Sequence, residues 1–207
     1  MEYTTPHIKT SILRIPSEMI SMSIESEKSS DTELKTIIFP KDLQSLTYYG
    51  QSIHSAYYFL FDGIEFPETL HTLNITGYNI FFRLFICNLI LPTYLHTLTL
   101  RGCEPTSYLD LKFSPYLHTL NLYKVLACNI ISKIPPSIRS YRITDCFTGD
   151  LDDLPLELEQ LTITTINHIP TNLPPNLKRI ILLDSKTRDK IAATLTKLPY
   201  GCEIVFE

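Results

Sequence analysis

Three histidines, His71, His96 and His118, follow a leucine in near-identical surroundings (TLHTLNI, YLHTLTL and YLHTLNL). Imidazoles repeated at a fixed place can line up, and an aligned set of imidazoles is a possible metal site. The plainer reading is a polar ladder that recurs because its surroundings recur. The acidic pair Asp152 and Asp153 falls in a loop between units, where two neighbouring carboxylates are ordinarily solvated. No nucleophile is paired with a base, and no glycine-rich phosphate loop is present, so no catalytic residue is assigned. The five cysteines, Cys87, Cys103, Cys128, Cys146 and Cys202, are widely spaced and form neither a zinc clip nor a redox motif. They read as reduced thiols. No cofactor and no metal is expected.

The elements that would position these residues emerge when the chain is aligned on itself. The pattern is apolar, Pro, any, any, Leu, any, any, Leu, any, then Leu or Ile. It begins at Ile15, Phe39, Phe66, Leu91, Phe113, Ile134, Leu154, Leu173 and Leu198. The first Leu position, the marker, falls at Met19, Leu43, Leu70, Leu95, Leu117, Ile138, Leu158, Leu177 and Cys202, at spacings of 24, 27, 25, 22, 21, 20, 19 and 25. Every unit but one carries Pro three places before its marker; the unit of Leu117 carries Pro115 two places before.

This spacing has a structural meaning. Apolar residues at marker, marker plus three and marker plus five share one side of a short strand and its approach. Proline cannot donate to a ladder, so it lies outside the strand, which runs from about marker plus one to plus five. Gly50, Gly77 and Gly102 stand at plus seven, where the chain leaves the sheet. Lys124, Asp145, Thr165 and Asp184 occupy that place later, which implies a turn with no need of positive φ. Short spacings leave room for extended or 3-10 return segments rather than helices. The longest gap holds SAYYFLFDGIEF, an expected extra turn or helix, and TRDKIAATLTKL predicts a helix near 187–197.

The units resemble leucine-rich repeats that place Pro ahead of the first Leu, in two branches: FNIP-type repeats, which LPPNLKRIIL and LPYGCEIVFE evoke, and bacterial-effector repeats of the form LPxxLxxLxI. Effector repeats usually keep an Asn where this chain has Tyr78, Cys103, Val125, Cys146, Ile166 and Ser185, which tilts the resemblance toward the FNIP type. It implies a leucine-rich-repeat solenoid, a curved α/β or β-rich horseshoe. About nine short parallel strands would line its concave face, with one domain over 1–207 and Cys103 and Cys146 packed inside. It also implies protein binding through the concave sheet.

Stacking of this kind sends plus two, four and six away from the core. Those places are rich in Ser and Thr, which also simply suit strands. Among them Tyr49, Asn74, Thr76, Thr99, Arg101, Asn121, Tyr123, Arg142 and Thr144 form the candidate partner site, because Tyr and Arg dominate interface energetics. A net charge of -4 supplies no phosphate-neutralising face, so nucleic acid and membrane partners are not expected. Phe81 to Leu91 is the most apolar stretch, but it is too short to span a bilayer and contains Arg83 and Asn88. The start, MEYTTPHIKTSILRIP, has no signal-peptide pattern. The expectation is a monomeric, cytoplasmic, non-enzymatic module that binds a protein, of the kind a pathogen or virus directs at its host. Assembly through solenoid edges is the alternative, and a carbohydrate-binding face a more distant third.

Overall fold

In the computed structural model the described residues are 12–14, 17–26, 36–50, 65–77, 84–86, 90–105, 112–124, 134–144, 153–164, 172–183, 195 and 197–207. Nine of their strands form one parallel sheet: β2 (Ser21–Ser26), β4 (Ser45–Gly50), β5 (Thr72–Gly77), β7 (Thr97–Arg101), β9 (Thr119–Tyr123), β10 (Ser140–Thr144), β11 (Gln160–Ile163), β12 (Arg179–Leu182) and β13 (Glu203–Phe206). They lie side by side in chain order, one strand to each sequence unit. At ~4.8 Å per strand the row is roughly 40 Å wide. Two further parallel pairs run outside it: β1 (Ile12–Arg14) with β3 (Thr36–Ile38), and β6 (Leu84–Ile86) with β8 (Cys103–Pro105).

From the second unit onward, each unit enters the sheet through the same turn. The marker N–H donates to the carbonyl three residues back, as in Leu43 to Pro40 (3.2 Å), Leu70 to Pro67 (3.0 Å) and Leu177 to Pro174 (3.1 Å). Proline suits the head of this turn, since its fixed φ restrains the chain and its missing N–H lies outside the ladder. Where the proline moves to position 115, Ser114 takes its place. Its hydroxyl donates to the Thr93 carbonyl and accepts from the Tyr116 N–H at 3.1 Å.

The next two residues converge on one acceptor. His96 N–H and Thr97 N–H both donate to the His71 carbonyl at 2.9 Å, and the same double donation recurs from Gln44 and Ser45 through Lys178 and Arg179. The regular strand therefore starts at plus two, one residue later than expected. From there inward residues alternate strictly with outward ones: marker, plus three and plus five are buried in nearly every unit, with Leu70, Leu73, Ile75, Leu95, Leu98 and Leu100 wholly inaccessible. One unit cannot bury its own leucines, but neighbouring rungs bury each other's. Ahead of the turns Phe39 and Phe66 stack at 5.5 Å and lean on this core. At the ends the core is only partly covered, at Met19, Cys202 and Ile204.

Two expectations need correction. The plus-seven turn does use positive φ, and not only at glycine: Gly102 has φ 60° and Lys124 has φ 51°, whereas Gly50 and Gly77 remain in their strands. In both cases the turned N–H reaches forward to the next strand, Gly102 to the Tyr123 carbonyl (2.8 Å) and Lys124 to that of Thr144 (2.9 Å). That bond favours the left-handed backbone even on a lysine.

The second correction is a slip of register. Counting from Pro199 sets Arg179 beside Ile204, but the ladder pairs Arg179 with Glu203, Ile180 with Ile204 and Leu182 with Phe206. In this unit only Glu203 N–H reaches the Lys178 carbonyl, so the doubled donor is missing and the strand sits one residue earlier.

The described return segments are extended and include no helix or 3-10 turn. The helix expected over 187–197 lies outside the described residues but for Leu195 and Lys197, neither of them helical; Leu195 is buried in the core. The turn or helix expected in SAYYFLFDGIEF falls outside them but for Glu65 and Phe66, and the inward packing of Cys146 and the Cys103 side chain fall outside them as well. Cys202 is a free thiol, partly buried, its pKa raised by burial and by the Glu203 charge.

Candidate functional site on the open face of the sheet

The face opposite the leucines carries the plus-two, plus-four and plus-six side chains in rows that cross the strands. Along plus four the register runs Thr47, Asn74, Thr99, Asn121, Arg142, Thr162, Ile181 and Val205; along plus six it runs Tyr49, Thr76, Arg101, Tyr123 and Thr144. All nine candidate residues therefore belong to two adjacent rows. In-register stacking of equivalent positions brings them together, and the repeat itself enforces that stacking.

Side-chain bonds tie the rows. Asn74 Nδ2 donates to Thr47 Oγ1 and Asn121 Nδ2 to Thr99 Oγ1, both at 3.2 Å. Toward the carboxyl end the rows meet at Tyr123. Arg142 Nη1 donates to its hydroxyl at 3.2 Å, and the Arg101 guanidinium lies over its ring, 5.7 Å from the centroid. This is cation–π geometry on one side and a hydrogen bond on the other. The diagonal contact from plus four of β10 back to plus six of β9, the preceding strand, was not legible in the sequence.

Exposure along these rows is uneven. Most members are partly exposed and Arg101 is exposed, but Thr144 is only 4% accessible and offers a partner little surface. Thr162 and Ile181 are buried as well, at 1% and 6%, and Thr162 Oγ1 has no hydrogen-bond partner among the described residues. The strict outward presentation expected along plus four therefore ends at Arg142. At the end of the face Arg179 Nε donates to Glu203 Oε1 at 2.8 Å. Alignment on proline hid this pair by setting Glu203 beside Lys178, which in fact bonds Glu159 at 2.7 Å. That bond and the lysine charge lower the pKa of Glu159.

The three histidines form a stack at the strand entrance, with ring centroids 4.9 Å apart between His71 and His96 and 5.5 Å between His96 and His118, and planes 8° and 23° from parallel. Imidazole lone pairs lie in the ring plane, so rings stacked face to face cannot aim two nitrogens at one ion about 2 Å from each. Among the described residues no group of three His, Cys, Asp or Glu is placed to hold a metal. Partial burial, followed by the neighbouring His71 and His118 charges, lowers the pKa of His96. Beside the stack Tyr94 and Tyr116 pair at 5.3 Å and remain about half exposed, a rim feature that the recurring Tyr before the marker could have signalled.

Nine parallel rungs over one leucine ladder make this a leucine-rich-repeat-like solenoid, a class that generally acts through extended binding surfaces. No protein-family model matches the chain, and no curated protein matches it. The crystal structure of CroV588, a novel circular LRR protein, is similar over 93% of this chain and 34% of its own, at 16% sequence identity and a TM-score of 0.43. This chain spans about a third of that chain's length.

Proposed function

We propose that the chain is a protein-interaction module that binds a partner protein across the open face, centred on Tyr123. The observation that carries this reading is the arrangement of Arg101, Tyr123 and Arg142, in which a tyrosine held by two arginines lies beside a row of hydrogen-bonded Asn–Thr pairs. Tyrosine and arginine contribute most at interface centres, and side chains already held in place lose less entropy on binding. The test is affinity capture of partners from cell lysates with the purified chain beside a Tyr49→Ala, Arg101→Ala, Tyr123→Ala variant that retains its melting temperature. Capture of a protein by the wild type and its loss in the variant is the expected outcome. Undiminished capture by the variant would sink the reading.

The sheet edges support a second reading. Among the described strands β2 and β13 are each paired on one side only, and a strand with an open edge can add a strand from another copy. Sedimentation across a wide concentration range separates the two: a mass that rises with concentration supports assembly, and a constant monomer mass excludes it.

A further inference from the structure

We infer that the occupant of the open face is an acidic segment of the partner protein, with a carboxylate seated on Arg142; this rests on the binding role proposed for that face. The whole chain carries a net charge of -4, yet its charges are not spread evenly. From β4 through β11 no outward position at plus two, four or six holds Asp or Glu, while Arg101 and Arg142 both lie there. The outward positions at the centre of the face thus supply arginine and no carboxylate, on an anionic protein.

Arg142 is the informative residue. It is partly buried, its side-chain partner is the Tyr123 hydroxyl, and no carboxylate pairs with it among the described residues. A guanidinium carries five N–H donors in a planar fork that fits a carboxylate with two parallel bonds, and the tyrosine bond uses only one of the two Nη groups. A partly desolvated charge without a counterion gains more from an arriving carboxylate than a fully hydrated one does. Tyr123 holds the fork in place, and its ring also carries the Arg101 guanidinium. With β9 between them, β7 and β10 bring these two cations to strands roughly 10 Å apart.

The test titrates the isotope-labelled chain with acetyl-Thr-Glu-Thr-Glu-Thr-Glu-amide and with its Gln counterpart, following the Arg142 Nε–H and Tyr123 ring signals by NMR. The Glu peptide should shift both signals saturably and bind on the order of tenfold more tightly than the Gln peptide. Added salt should weaken the preference, because exposed charges are screened. It should disappear in R142Q and persist, reduced, in R142K, which keeps the charge but loses the fork. Equal affinities would end the acidic preference while leaving the face a peptide-binding surface. No shift with either peptide, an unchanged preference in folded R142Q, or tighter binding of oligouridylate at the same signals would each overturn the inference. Loss of captured partner in the triple-alanine variant together with equal peptide affinities would leave the binding role standing and remove only its acidic specificity.

Discussion

Thr162 carries an energetic cost that its neighbours avoid: its hydroxyl is enclosed without a partner among the described residues, whereas most threonines of the same face remain partly exposed. Leaving a buried hydroxyl unbonded costs about 1–3 kcal/mol, and valine keeps the branched shape without the polar atom. T162V is therefore expected to raise stability by about 1 kcal/mol in urea unfolding; an equal fall would show that the hydroxyl is bonded. His96 makes a second prediction at this scale. Burial and its two stacked neighbours place its folded pKa below the ordinary 6.5, so the unfolded chain binds the proton more readily. Stability from this group is thus complete above pH 6.5, declines as pH falls toward the folded pKa, and then levels off. Melting temperatures of H96Q should fall less steeply than wild type across that window, and parallel curves would refute the coupling.

The repeating unit is the next scale, and its turns make distinct predictions. A Cβ on Gly102 would lie 2.8 Å from the Gly77 carbonyl oxygen and would sit at φ +60°, while one on Gly201, at φ +76°, would meet nothing within 4 Å. The left-handed strain alone costs about 1–2 kcal/mol. G201A should lose about that much and G102A clearly more, measured by the same unfolding curves; equal losses would mean that the Gly77 backbone yields freely. In the core, L98A removes a fully buried side chain between two rungs and should cost about 2–5 kcal/mol. The leucine ladder and the proline turns were legible because packing and turn geometry each demand one residue type at one place. The slip of β13 was not, because proline counting measures the turn while burial sets the register. Counted from Pro199, Val205 and Glu207 would sit in the inward rows; the observed register places Ile204 beside Ile180 and Phe206 beside Leu182 instead, so that Ile204 packs on the core, Phe206 stays exposed at the end of its row, and the Glu207 carboxylate is kept out of the core. The signal was present in the alternation of Ile204, Val205, Phe206 and Glu207, but the stronger proline pattern masked it. Lys124 was hidden for another reason: the bond that turns its backbone comes from the next unit, beyond any local pattern.

At the scale of the whole molecule, each main-sheet strand pairs only with the units before and after it, so stability is distributed along one dimension. Amide exchange should be slowest in β7, β9 and β10 and fastest in β2 and β13, where the core is only partly covered. Uniform exchange across the sheet would indicate that the rungs open together. The candidate site was legible at this scale, since stacking identical units aligns Tyr49 with Thr76 and Arg101 with Tyr123 without further information. What stacking could not foretell is the burial of Thr144 and Thr162, which breaks the equivalence of successive rungs. The same stacking makes the molecule a mechanical ratchet in reverse. Its ladder bonds run along the row of strands, so under a pull from one edge strand to the other every rung bears the full tension and the weakest gives way first. Under such tension the protein should pay out chain in discrete steps, each releasing a unit of 19–27 residues. At ~3.4 Å per residue this is roughly 65–90 Å of contour length, a saw-toothed yielding that leaves the remaining rungs intact.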